Sequence, residues 1–127
     1  MSAAPSPLSE ELTAFIESAI PSVWALETLL LLRRVGEGWT AERIVSELRA
    51  STTLVNNCLG QLQQAGLVAG DEAGWRYAPA SSTLGALCDE LDATYRERPV
   101  AVVNTITARR VDPLKGFADS FRWRGWK

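Results

Sequence analysis

The 127 residues contain no histidine, only two cysteines and a single methionine. Without histidine, the commonest general base and the commonest neutral metal ligand are both missing. Cys58 and Cys88 lie far apart and have no CxxC spacing, so no zinc site is expected. There is no Gly-rich phosphate loop, no GxSxG and no HExxH. Asp89 and Glu90 are neighbours on a helical pattern and therefore splay apart, which reads as a solvated face. The expectation is a chain with no enzymatic activity, no metal and no cofactor. No run of 18 apolar residues occurs, so no membrane-spanning helix is expected. The start, MSAAPSPLSEEL, has no basic region followed by an apolar one and does not read as a secretory signal. Both cysteines sit on apolar helical faces. They read as buried thiols of a cytoplasmic protein, with a disulfide or redox pair as the alternative.

What the sequence does have is concentrated between Trp39 and Pro79. Thr40 is a good N-cap, Glu42 follows in the first turn, and Trp39 and Ile44 are spaced for a hydrophobic staple. Ile44, Val45 and Leu48 continue the stripe to about Arg49. Ser51 or Thr52 caps a second helix whose apolar positions are Leu54, Val55, Cys58, Leu59 and Leu62. Gly66 ends that helix in the left-handed conformation, and Leu67 supplies the usual hydrophobic contact. The period then changes. Leu67–Ala69 and Trp75–Tyr77 are short β-like runs, joined by the turn-rich residues 70–74. Trp75 and Tyr77 are two apart and so share one side of a strand.

Helix, turn, helix, Gly-Leu-Val and hairpin resemble the winged-helix transcriptional regulators, including the multiple-antibiotic-resistance regulator type. The residues that carry the resemblance are Ser51, Leu59, Leu62, Gly66, Leu67 and Val68, followed by the hairpin. It spans roughly 60 residues, from about Val23 to Pro79. It implies a mainly α fold with a small β-hairpin wing (α+β), a winged helix-turn-helix with extra C-terminal helices. In such a fold the second helix enters the major groove. Regulators of this type often hold an aromatic ligand between the winged helix and the dimer helices. In this chain Trp24, Trp39 and Trp75 are read as core. Winged helices also serve as protein-binding modules, so fold does not decide function.

The rest of the chain is organised around that centre. Residues 1–5 are small and polar, with disorder expected, and 6–111 form one winged-helix domain of ordinary composition. Within it the helix-turn-helix covers 40–66, the wing 67–79 and the C-terminal helices 82–109. Ser6-Pro7 is expected to open the first helix, with Leu8, Leu12, Phe15, Ile16 and Ala19 as its stripe and Pro21 as its stop. Ser22 caps a second helix, Val23 to about Val35, that is apolar nearly all round and is expected at the centre of the core. Leu84, Leu87, Cys88, Leu91 and Tyr95 give a helix from Thr83 to about Glu97. Pro99 starts the next element, Val100 to Ala108, whose β-branched residues also allow a strand. These two elements offer more apolar surface than one small winged helix needs. A homodimer is expected to use it, the alternative being packing onto the first two helices.

Residues 112–127, DPLKGFADSFRWRGWK, form a basic aromatic tail. Leu114, Phe117, Ala118 and Phe121 share a helical face, and Arg122, Trp123 and Arg124 follow. Charge is unevenly placed. Residues 1–108 carry seven Lys/Arg against thirteen Asp/Glu, whereas residues 109–127 carry six against two. The tail can pack on the domain or on a second subunit, dock on an acidic partner surface, touch nucleic acid or sit on an anionic membrane.

Two functions remain open. In the first, a small regulator reads DNA with Thr52, Thr53, Asn56, Asn57, Gln61 and Gln64, residue types suited to adenine and thymine edges. Arg43, Arg49 and Arg76 then contact phosphates, with Arg33 and Arg34 as further candidates. In the second, the module has lost ordinary DNA binding and grips another protein. It docks through the uncharged face around Gly60 or through Leu114, Phe117, Phe121, Arg122, Trp123 and Arg124. Charge favours the second reading, because residues 51–65 hold no Lys or Arg and Asp71 and Glu72 sit at the wing tip. A mid-helix Gly60 points the same way if it permits a close approach.

Overall fold

The computed structural model describes residues 8–108. In chain order they form α1 (Glu10–Ala19), α2 (Val23–Val35), α3 (Ala41–Leu48), α4 (Thr52–Gln64), β1 (Val68–Asp71), β2 (Gly74–Tyr77), α5 (Ser82–Glu97) and α6 (Pro99–Ala108). This is a winged helix-turn-helix with two further helices after the wing. The ends of the elements follow local chemistry. Ser9, Ser22, Thr40, Ser51 and Ser81 each turn a hydroxyl back to accept a backbone N–H of the first helical turn. The first helix thus begins after Ser9, whose Oγ takes the Leu12 N–H at 3.0 Å. The expected start at Ser6-Pro7 lies outside the described residues, and Leu8, just before the cap, is buried.

α2 lies at the centre. Ala25, Leu26, Thr28 and Leu29 through Leu32 are all buried, as a helix apolar nearly all round requires. Thr28 is tolerated there because its hydroxyl donates to the Trp24 carbonyl one turn back, at 2.8 Å. α2 packs against α3, α4 and β2, and it meets α1 at a bend of 104°. Among the described residues no single helix is long and apolar enough to cross a membrane.

α5 and α6 both pack on α1. Cys88, Leu91, Val102 and Ile106 are buried in this way within one chain, the arrangement given above as the alternative to a dimer for these faces. α6 is helical despite its β-branched residues. Pro99 occupies its first position, and Val102 and Ile106 lie one turn apart on the buried side. Polar ties hold α5 in place. Arg33 of α2 pairs with Asp89 at 2.6 Å and with Asp92, and Arg96 also reaches Asp92, at 3.0 Å. Tyr95 donates to Glu27 at 2.8 Å, and Ser9 donates to Glu90 at 3.0 Å. Asp89 and Glu90 therefore do more than solvate a surface. Arg33, a candidate phosphate contact in the sequence, is instead a structural cation, held by two carboxylates that raise its pKa further.

Candidate recognition surface

α3 and α4 form the helix-turn-helix. The turn is Arg49-Ala50-Ser51. Arg49 caps α3 in the left-handed region at φ 57°, and the Ala50 N–H returns to the Val45 carbonyl at 3.2 Å. Among the described residues Arg49 is the one non-glycine with positive φ. It spends some backbone strain to turn the chain into α4 within three residues. At the far end Gly66 (φ 79°) and Leu67 send their N–H groups to Gln63 and Leu62, each at 3.0 Å. This is a Schellman stop, with Leu62 and Leu67 both fully buried beside it.

α4 is therefore held at both ends and along one side. Val55, Cys58, Leu59 and Leu62 are buried against α2 and α3. Thr52, Thr53, Asn56, Asn57, Gln61 and Gln64 are all exposed. The structure gathers every one of the expected reading residues on the outer side of a single helix. Gly60 falls in line with Thr53, Asn57 and Gln64 by helical spacing, near the middle of that side. A side chain added at Gly60 would meet nothing within 4 Å among the described residues. No second helix among them approaches Gly60, and its conformational cost has no offset there.

The wing is tighter than the sequence suggests. Asp71 pairs with Gly74, so residues 70–74 are not a loop, and the strands extend into them around a two-residue turn, Glu72-Ala73. Asp71 Oδ1 accepts the Ala73 N–H at 2.8 Å. Gly70 stands opposite Trp75, whose ring lies 3.0 Å from where a side chain would begin. Trp39 adds a short third edge to this hairpin. Its N–H and C=O both pair with Trp75, at 2.9 and 2.7 Å. Gly74 is required here, since a Cβ would stand 2.5 Å from the Trp39 carbonyl oxygen at a φ of +123°.

The cations around this surface are few. Arg43 is exposed, with its guanidinium 4.0 Å above the Trp39 ring. Arg49 is exposed at the helix turn. Arg76 is exposed on the wing but pairs with Asp71 at 3.0 Å. Leu114, Phe117, Phe121, Arg122, Trp123 and Arg124 lie outside the described residues. α4 carries no charged side chain from end to end.

Beneath the surface lie two thiols and a phenol. Burial pushes the thiols of Cys58 and Cys88 up, and both are free cysteines, which fits the expectation of inert core thiols rather than a redox pair. Tyr77, at the end of β2, is pushed up to about 12, first by burial and then by Cys88, with Arg33 opposing. No group of three or more Cys, Asp or Glu able to hold a metal occurs among the described residues.

Trp24 is the residue sequence reading misplaced. Its apolar character predicts a core position, yet it is 40% exposed, while Trp39 is buried and Trp75 partly so. It sits in the first turn of α2, on the outer side of a turn whose Ala25 and Leu26 are buried. There it walls an open cleft of about 360 Å³ with Leu54, Asn57, Cys58, Gln61 and Ile106.

Compared with protein-family models, with curated proteins and with solved structures, the chain shows no significant match to any of them.

Proposed function

We propose that this chain is a small winged-helix transcription regulator, cytoplasmic and acting as a homodimer, that presents α4 to the major groove of duplex DNA. The observation that carries the reading is the outer side of α4. Two threonines, two asparagines and two glutamines stand exposed on a helix fixed at both ends, with a wing beside it. Amide side chains pair bidentately with adenine, and threonine contacts bases or a thymine methyl. Arg43, Arg49 and Arg76 are the phosphate contacts near this face. A dimer doubles that number and sets two copies of α4 against two half-sites. The order of elements suits a regulator of the multiple-antibiotic-resistance type.

A second reading has its own support. Phosphate neutralisation supplies most of the affinity for DNA, and here α4 is uncharged, Arg76 is paired with Asp71, and Arg33 is engaged with α5. A winged helix with that charge map suits a protein partner, gripped through the open strip around Gly60.

A salt titration of the full chain against random-sequence duplex DNA separates the two. Micromolar binding that weakens steeply with salt is the result expected of the regulator. No binding at about 50 mM salt overturns it in favour of the protein-docking module.

A further inference from the structure

The cleft beside Trp24 is the least explained feature of the described surface. Its walls come from three elements. Trp24 stands at the start of α2, Leu54, Asn57, Cys58 and Gln61 lie along α4, and Ile106 is near the end of α6. Trp24 and Leu54 are only partly covered, although both are large apolar side chains. None of the residues lining the cleft is charged.

We propose that the chain's own C-terminal segment docks in this cleft, with Leu114, Phe117 and Phe121 as its apolar contacts. Three observations converge on that occupant. The first is position. Ile106 and Thr107 line the cleft, and the described chain ends one residue later, at Ala108, so the remaining residues 109–127 start at its rim. Leu114 is six residues further on, a span of up to about 20 Å of extended chain, so reach is not limiting. The second is pattern. Leu114, Phe117, Ala118 and Phe121 recur at helical spacing and make one apolar face, the complement an apolar cleft needs. The third is charge. Residues 109–127 have a net charge of +4 and residues 1–108 a net charge of −6, so the segment is drawn to the body rather than repelled from it.

The docking does not depend on what α4 binds, but it bears on it. Asn57 and Gln61 line the same cleft. A segment seated there covers one flank of the recognition helix and competes with any ligand that needs those two amides.

The test uses the full chain with Phe117→p-benzoylphenylalanine, irradiated at low concentration and mapped by peptide mass spectrometry. The expected product is an intrachain cross-link to the peptide holding Trp24 or Leu54. Its yield should fall by about tenfold with Trp24→Ser, which adds no charge, the factor that roughly 60 Å² of lost apolar contact corresponds to. Trp24→Ser is expected to fold, because the ring is 40% exposed, and circular dichroism verifies that. Cross-links only between chains would give the cleft to a second copy and overturn the proposal. Cross-links elsewhere on the chain, no cross-link, or a yield unchanged by Trp24→Ser would overturn it as well. None of these outcomes depends on DNA, so the fate of the regulator reading is measured separately.

Discussion

Trp39 and Trp75 exchange two backbone hydrogen bonds, of 2.9 and 2.7 Å, across 36 positions of sequence. This bridge joins the residue that introduces α3 to the second strand of the wing. It sets where the hairpin stands relative to the helix-turn-helix. The bridge leaves no room beside it, which makes Gly74 its most sensitive neighbour.

Gly74→Ala should lose on the order of 2 kcal/mol or more, since it combines a positive φ with a clash against the backbone. Urea unfolding measures the loss. Amide exchange at Trp39 and Trp75 should accelerate in the same variant. Wild-type exchange at these two amides would mean that the bridge does not depend on Gly74.

Gly60→Ala should act in the opposite direction. The position is helical and nothing lies within 4 Å of the added methyl. A gain of about 1 kcal/mol is expected from helix propensity alone. A higher urea midpoint at constant m-value checks it, and a loss of stability would mean that something already occupies that space.

Arg33→Met should cost roughly 1–2 kcal/mol, because Asp92, whose side chain is 15% exposed, keeps only the exposed Arg96 as its cationic partner among the described residues. A double-mutant cycle with Asp92→Asn isolates the coupling. Affinity for DNA should not change, since Arg33 is engaged with α5 rather than held free for phosphate.

Alkaline pH should weaken the fold through Tyr77. Its folded pKa of about 12 lies above the ordinary 10.0, so its contribution is complete below pH 10 and is lost as pH rises toward 12. The loss should be on the order of 2 kcal/mol over that window. The raised thiols of Cys58 and Cys88 and the raised Tyr95 push in the same direction. Comparing wild type with Tyr77→Phe between pH 9 and 12 assigns the share, the variant showing the shallower decline.

If α4 reads DNA, Arg43→Ala and Arg76→Ala should each reduce the salt slope of binding by about 0.9. Asn56→Ala should leave that slope alone and relax sequence preference. Unchanged slopes in both arginine variants would remove them as phosphate contacts.

Much of this protein is legible in its sequence because the signals are local. A cap hydroxyl at Ser22, Thr40 and Ser51 acts within three residues, and the Schellman stop at Gly66 within five. The outer face of α4 follows from helical period once its buried face is known. That is why the six polar residues expected to read DNA lie together on its exposed side. Tertiary structure decided what depends on distant partners. Asp89 could not be known to hold Arg33, because the two are 56 positions apart and meet only when α5 packs on α2. The short wing turn depends on register between two strands, which the Gly-rich composition of 70–74 leaves open. Trp24 appears apolar and therefore buried in sequence, yet burial is a property of neighbours. Ala25 and Leu26 of the same turn are fully buried while Trp24 faces outward, and only the assembled helices create the cleft it walls.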